Sequence, residues 1–372
     1  MNKLSRSVLL AFSVIVIAGS QTQVSAKTVK IFILAGQSNM EGHGAIASDK
    51  NDGKGSLSYL ADNNPKYKHL RKGKNDWVER DDVSISYLAR KGALKPGFGA
   101  RDSKIGPELG FGHVVGDAID EPVLLIKTAW GGKSLAVDFR PPSSGGQVGP
   151  FYTQMVSNVN NTLENLKKEF PKLGSDYEIV GFGWHQGWND GCDMAMCQEY
   201  EKNMQNFIRD VRKEFATPDL PFVIADSGFG GGKETTGRRF MIRDAQAAAA
   251  KVKSLNNVHC VVTGSFARPV EASPSKQGYH WNSNAETYYL VGEAMGKSMM
   301  ELVGSNIKPE KKVRAELYNF RNNDGSKSFK ARFKKYDEVT GKVTVIKANG
   351  SATNFKIDFL HPDDQKYVKE QN

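Results

Sequence analysis

The sequence predicts an α/β protein, a parallel sheet with helices on both faces, followed by a small β module. Three observations carry the prediction. Five short runs are apolar throughout, as strands covered on both faces are. Amphipathic stretches lie between them, with apolar residues every three or four positions, which sets one stripe on a helix. From Asn306 the runs shorten and alternate, and Asp324-Gly325 and Asn349-Gly350 mark hairpin turns.

The chain opens with Lys3 and Arg6, an apolar core over 8–18 and the small residues Val24-Ser25-Ala26. That order describes an export signal, and the core is too short to span a bilayer. Residues 1–26 are therefore expected to be cleaved, giving a secreted or periplasmic chain with no transmembrane segment. Buried strands are expected at 29–35 (VKIFILA), 122–128 (PVLLIKT), 178–184 (EIVGFGW), 221–225 (PFVIA) and 258–263 (VHCVVT). Helical patterns fall at 105–119, 152–170, 199–215, 240–253 and 284–302. In the third, Tyr200, Met204, Phe207, Ile208, Val211 and Phe215 form the stripe; in the first, Pro107 suits an opening turn. The stretch 41–102, rich in Gly, Asp, Asn and Lys, reads as a long irregular insertion near the site. Residues 27–305 form the large domain. Residues 306–372 form the module, with strands expected at 315–318, 329–333, 342–347 and 354–359.

The net charge of +10 does not indicate a nucleic-acid partner. Two of those charges lie in the leader and six in residues 306–372, which leaves two for the large domain. No basic stripe of the kind a phosphate backbone requires is present there. Cys192 and Cys197, in an expected loop (GCDMAMC), are candidates for a short disulfide, while Cys260, in VHCVV, reads as a buried free thiol. No Cys/His spacing suggests zinc, and no cofactor is expected.

Four places carry chemistry, and each has a plainer reading. Ser38 follows a strand directly in GQSNM, where a hydroxyl stands at the sheet edge beside backbone N–H groups that could hold an oxyanion; the plainer reading is a helix cap. Trp130-Gly131-Gly132-Lys133-Ser134 follows the next strand, and glycine allows close backbone approach, or simply a turn. In Gly187-Trp188-Asn189-Asp190 a neutral side-chain amide suits oxyanion binding, or an Asx-turn. His280, in GYHWN, titrates near neutrality and suits general-base work, although a lone histidine is more often structural.

The order strand–Ser, strand–Gly, strand–Gly-x-Asn-Asp, late His resembles the SGNH hydrolase superfamily. FILAGQSNM, KTAWGGKSL and WHQGWND resemble its sialate O-acetylesterase-like branch, related to carbohydrate esterase family 6, over about 29–302. The resemblance implies a three-layer flavodoxin-like fold and hydrolysis of acetyl esters on saccharides. It implies Ser38 as nucleophile and His280 as base. The oxyanion hole would come from the Ser38 N–H, a glycine of the Gly131-Gly132 pair (Gly132 favoured) and the Asn189 side chain. Gln37, Gln186, Trp130 and Trp188 would bind substrate. Two positions depart from the pattern. Gln277 stands where many relatives carry an Asp three residues before the His, and Trp188 stands where family 6 can place an acid. Asp190 is the nearest acidic candidate for the triad, or a loop brace; a backbone carbonyl orienting the imidazole is the alternative. Residues 324–368 resemble a small SH3-like, Sla-type homology module, which implies surface or glycan contact. Two other functions remain open on the sequence: an inactive carbohydrate-binding protein using Trp130, Trp184 and Trp188 as sugar platforms, and a surface scaffold working through the basic module.

Overall fold

A computed structural model describes residues 28–73, 76–304, 318–338, 340–347 and 352–370. The expected leader, the first three residues of the 315–318 run and the Asn349-Gly350 turn lie outside them.

The main sheet has seven strands. In chain order they are β1 (Val29–Gly36), β2 (Val83–Tyr87), β3 (Arg90–Ala93), β4 (Val123–Ala129), β5 (Tyr177–His185), β6 (Phe222–Ala225) and β7 (Val258–Val261). Across the sheet they run β3-β2-β4-β1-β5-β6-β7, all neighbours parallel except the β2–β3 hairpin. Without that hairpin the order is the doubly wound, flavodoxin-like one. It reverses direction beside β1, where such sheets place their sites.

Alternation along β1 explains the layers. Phe32 and Leu34 face one core, shared with the helices α1 (Pro107–Ala118) and α2 (Ala285–Gly304). Val29, Ile31, Ile33 and Ala35 face the other, under α3 (Pro150–Glu164), α4 (Met194–Glu214) and α5 (Gly237–Ala249). A strand buried on both faces has no polar side to show, which is why its sequence reads as one apolar run.

The stretch 41–102 is more regular than its composition suggests. It supplies a helix at Leu57–Asn63, and β2 and β3 extend the sheet beyond β4. In VSISY only Val83, Ile85 and Tyr87 carry a clear apolar signal, short and set among glycines and charges. A second sheet is antiparallel, in the order β8 (Tyr318–Arg321), β9 (Ser328–Asp337), β10 (Lys342–Lys347), β11 (Ala352–Lys356). It packs its own core of Phe320, Ala331, Val343, Val345, Leu360 and Val368. A helix at Pro362–Glu370 stands where no helix was expected. Its buried Asp364 takes the Tyr318 hydroxyl at 2.9 Å and the Arg321 guanidinium at 2.8 Å.

Candidate active site

Ser38 sits where β1 meets β5. Gly36, the last residue of β1, has φ +153, and a Cβ there would lie 2.2 Å from the His185 carbonyl oxygen. Only glycine lets the two strand ends approach so closely. The chain then turns into a four-residue helical turn, Ser38–Glu41, with Ser38 first and buried. N–H groups in a helix's first turn have no acceptor within their own helix.

His280 lies in the turn Gly278–Ser283, before α2. The three residues after it, Trp281, Asn282 and Ser283, are left-handed in succession, with φ 49, 56 and 57. Such backbone costs roughly 1–2 kcal/mol per non-glycine residue, so the surroundings must enforce it. They do so with the Trp281 ring buried against Phe229, the Ser275 N–H on the Asn282 carbonyl at 2.9 Å, and the Asn282 amide on the Arg268 carbonyl at 3.1 Å.

Asn39 joins the two segments, a role not visible in the sequence. Its Nδ2 donates to the Tyr279 carbonyl at 2.9 Å, and its Oδ1 accepts the Tyr288 hydroxyl at 2.6 Å. The residue after Ser38 thereby holds the residue before His280. The His280 ring stacks on His43, with centroids 3.8 Å apart and planes 6° from parallel. Burial, then Lys104, pushes the His280 imidazole down to about 4. Burial, then His280, Lys104, Arg101 and Lys127, pushes His43 down to about 3. Among the described residues no carboxylate pairs with the His280 ring. Gln277 is exposed, and its carbonyl accepts the His280 and Asn282 N–H groups.

Asp190 is placed differently from a triad acid. Its buried carboxylate accepts the Leu135 N–H at 2.9 Å, the Ala136 N–H at 2.9 Å and the Gln186 amide at 2.5 Å, so it braces the loop after β4 against the loop after β5. Burial raises it to about 6 against the pull of those donors, Gln186 foremost. Gln37 and Gln186, expected on the substrate side, belong to the same brace. The Gln37 Oε1 accepts from the Gln186 amide, the Gly187 N–H and the Asn189 N–H at 3.1–3.2 Å. Gln186 also donates to the Lys133 carbonyl at 2.9 Å and accepts the Tyr200 hydroxyl at 2.9 Å. Both carboxamides are buried. A brace and a substrate contact call for the same side chain, so the letters alone could not separate them.

The remaining residues divide between cleft and core. Gly131 lies against the Glu41 carboxylate, whose Oε2 would stand 3.1 Å from a Cβ there. Gly132, at φ +67, has open space where a Cβ would stand. Trp188 is half-buried between Phe229 and Tyr279, with the Arg239 guanidinium 4.4 Å from its ring centroid. With Cys192, Glu234, Thr236, Arg238 and Arg239 it lines a cleft of about 330 Å³. Trp130, half-buried, packs on Phe139 and Phe151, while Trp184 is wholly buried, its indole N–H 3.4 Å from the Tyr200 hydroxyl, and has no face to offer a sugar. Cys192 and Cys197 are both free thiols, not a disulfide. Cys197 faces inward toward the Asp190 carbonyl, while Cys192 is exposed. Cys260 is free, and burial lifts its thiol to about 12. Among the described residues no helix is long and apolar enough to cross a membrane, and no cluster of His, Cys, Asp or Glu could hold a metal ion.

Three imidazoles give the fold an acid sensitivity. His185, on the Ala225 carbonyl at 3.0 Å, is also pushed down by burial to about 4, like His280, with His43 lower still. Between their ordinary value of 6.5 and about 4 the unfolded chain holds protons there that the folded chain does not. These groups therefore make stability fall as pH drops through that window. Thermal unfolding followed from pH 7 to pH 4 is expected to show a falling midpoint, less steep in His185→Asn.

The family model for "carbohydrate esterase, sialic acid-specific acetylesterase" matches residues 28–301. A protein described as a probable carbohydrate esterase from Arabidopsis thaliana is 24% identical over 233 residues, covering 62% of this chain and 78% of that one. The solved structure from that plant covers 73% of this chain and 98% of its own, at 20% identity and TM-score 0.49. A carbohydrate acetylesterase from Xanthomonas citri covers 86% and 63%, at 16% identity and TM-score 0.49. NanS covers 75% and 98%, at 15% identity and TM-score 0.46. With the family model spanning the whole parallel sheet and its site loops, this chain belongs to the sialic acid-specific acetylesterase family of carbohydrate esterases.

Proposed function

We propose that the chain is an exported serine esterase that removes O-acetyl groups from saccharides through an acetyl-Ser38 intermediate. The observation that carries the reading is the Asn39 link, which fixes the His280 segment beside Ser38 at the switch point of the sheet. His280 takes the Ser38 hydroxyl proton as the oxygen attacks the acetyl carbon. The oxyanion is held by the Ser38 N–H, the Gly132 N–H and the Asn189 side chain. Gly132 is preferred to Gly131 because it has open space beside it, whereas Gly131 lies against the Glu41 carboxylate. The imidazolium returns its proton to the departing sugar oxygen, and water then releases acetate. The saccharide lies along the Trp188–Arg239 cleft.

The test is acetate release by the mature chain from an O-acetylated saccharide and from an aryl acetate, with mass spectrometry locating a serine-directed phosphonate on Ser38. No release and no labelling would overturn the reading. Loss of one oxyanion donor costs about 10²–10³ in kcat. Asn189→Ala is expected to show that loss with KM nearly unchanged, measured by steady-state kinetics on the aryl acetate. A second reading is favoured by one observation, the lack of a carboxylate at His280 among the described residues. It makes the chain a glycan binder without turnover, and the same assay separates the two.

A further inference from the structure

The ring that lies against His280 is an imidazole. We propose that His43, backed by Glu41, is a positioning residue for the base, serving where a triad acid would otherwise orient His280 and support its imidazolium. The proposal rests on the reading of Ser38 and His280 as nucleophile and base.

Four observations carry it. First, the two rings are face to face, 3.8 Å apart and tilted by 6°, so the plane of His280 is set by His43. The face of a neutral aromatic ring attracts a cation, so the contact strengthens when His280 gains its proton. Second, His43 Nε2 is buried without a hydrogen-bond partner, and the Glu41 Oε2 stands 4.0 Å from it. Catalytic contacts are often long in a ligand-free site and tighten with substrate. Third, Glu41 is itself fixed. It lies on the same helical turn as Ser38, rests against Gly131, takes the Tyr87 hydroxyl at 3.4 Å, and gives its carbonyl to the buried Lys127 ammonium at 2.6 Å. Fourth, the backbone segments that carry the two imidazoles are tied together. The Tyr288 hydroxyl, beside the His43 backbone N–H, donates to Asn39, which donates to the Tyr279 carbonyl next to His280.

The charges around the pair explain why such support is needed. The positive charge of Lys104 acts on both rings, and those of Arg101 and Lys127 act on His43. All three oppose an imidazolium, and Glu41 is the carboxylate set against them.

The test uses the mature chain and an aryl acetate, with kcat, KM and the pH profile of kcat/KM measured for each variant, and imidazole NMR to titrate His280 directly. His43→Ala is expected to lower kcat about 10- to 100-fold while KM changes less than about 3-fold. Its acid limb should rise from near pH 4 toward the ordinary histidine value, because water reaches the exposed His280 face. His43→Phe keeps a flat ring against His280 but gives up the link to Glu41, so the limb should stay low while kcat recovers only to about the Glu41→Gln level. Glu41→Gln is expected to lower kcat about 10-fold without raising KM. If His43→Ala does not fold, Glu41→Gln and His43→Phe decide. Wild-type kcat in Glu41→Gln, or an unmoved limb and kcat in a folded His43→Ala, overturns the proposal. Where Ser38→Ala is dead in the same assay, only the positioning role falls. Where Ser38→Ala and His280→Ala both retain turnover, the esterase reading falls with it.

Discussion

Ser38→Ala is expected to abolish acetate release, with a loss of at least about 10⁴ in kcat and no change in thermal midpoint. In acyl-transfer enzymes whose nucleophile and base act as a unit, removing the nucleophile alone takes away nearly all of the covalent route. The stability half of the expectation comes from the packing. Among the described residues, Ser38 gives its carbonyl to the Gly42 N–H, and the loops around it are held by Gln37, Asn39 and Asp190. Losing one hydroxyl leaves those bonds in place. Steady-state kinetics beside a thermal melt checks both halves, and a lowered midpoint would mean that Ser38 also holds the turn together.

Asp190→Ala is expected to have the largest effect on stability. It strands the Leu135 and Ala136 N–H groups inside the protein and takes from the Gln186 amide the shortest of its three acceptors. Each buried donor left without a partner costs about 1–3 kcal/mol, and partial relaxation leaves a total of about 3 kcal/mol. In a domain of this size that lowers the midpoint by roughly 6–12 °C. Turnover should fall as well, because the loops bearing Gly132 and Asn189 are the two that Asp190 joins. Asp190→Asn is the informative companion. A carboxylate accepts on both oxygens, whereas an amide accepts on one and would turn its NH₂ toward a backbone N–H or the Gln186 NH₂, so part of the cost remains. The pH dependence has a definite sign. With Asp190 raised to about 6, the folded chain holds a proton there that the unfolded chain has lost above its ordinary 3.8. Its contribution therefore falls as pH rises from about 4 to 6, against the trend of the buried histidines. Removing it should make the acid sensitivity of Asp190→Asn steeper than that of the parent, as denaturation across that window would show.

The sequence was readable where a single physical demand acts on a segment. Continuous apolar runs marked β1, β4, β5, β6 and β7, since burial on both faces leaves no other composition. Alternation hid β2, because Val83, Ile85 and Tyr87 give only three apolar positions amid polar neighbours. The order of the blocks holding Ser38, Asn189 and His280 pointed to the family. The roles of Gln37 and Gln186 were not legible, and Asp190 read equally as triad acid or loop brace, because a carboxamide or carboxylate looks the same in a string whether it meets a ligand or the next loop. The stack of His43 on His280 joins residues far apart in the chain, and no local pattern announces such a meeting.

The brace around Gln37 bears on descent. In the run Gly36-Gln37-Ser38-Asn39, only Ser38 would touch an acetyl group; Gly36 permits the strand approach, Gln37 ties the β5 loop and Asn39 ties the His280 turn. A lineage that abandoned the chemistry would still need those three to fold. The motif would thus outlive the activity, and its survival in a distant cousin would testify to shared architecture, with the single serine as the mark of an enzyme still at work.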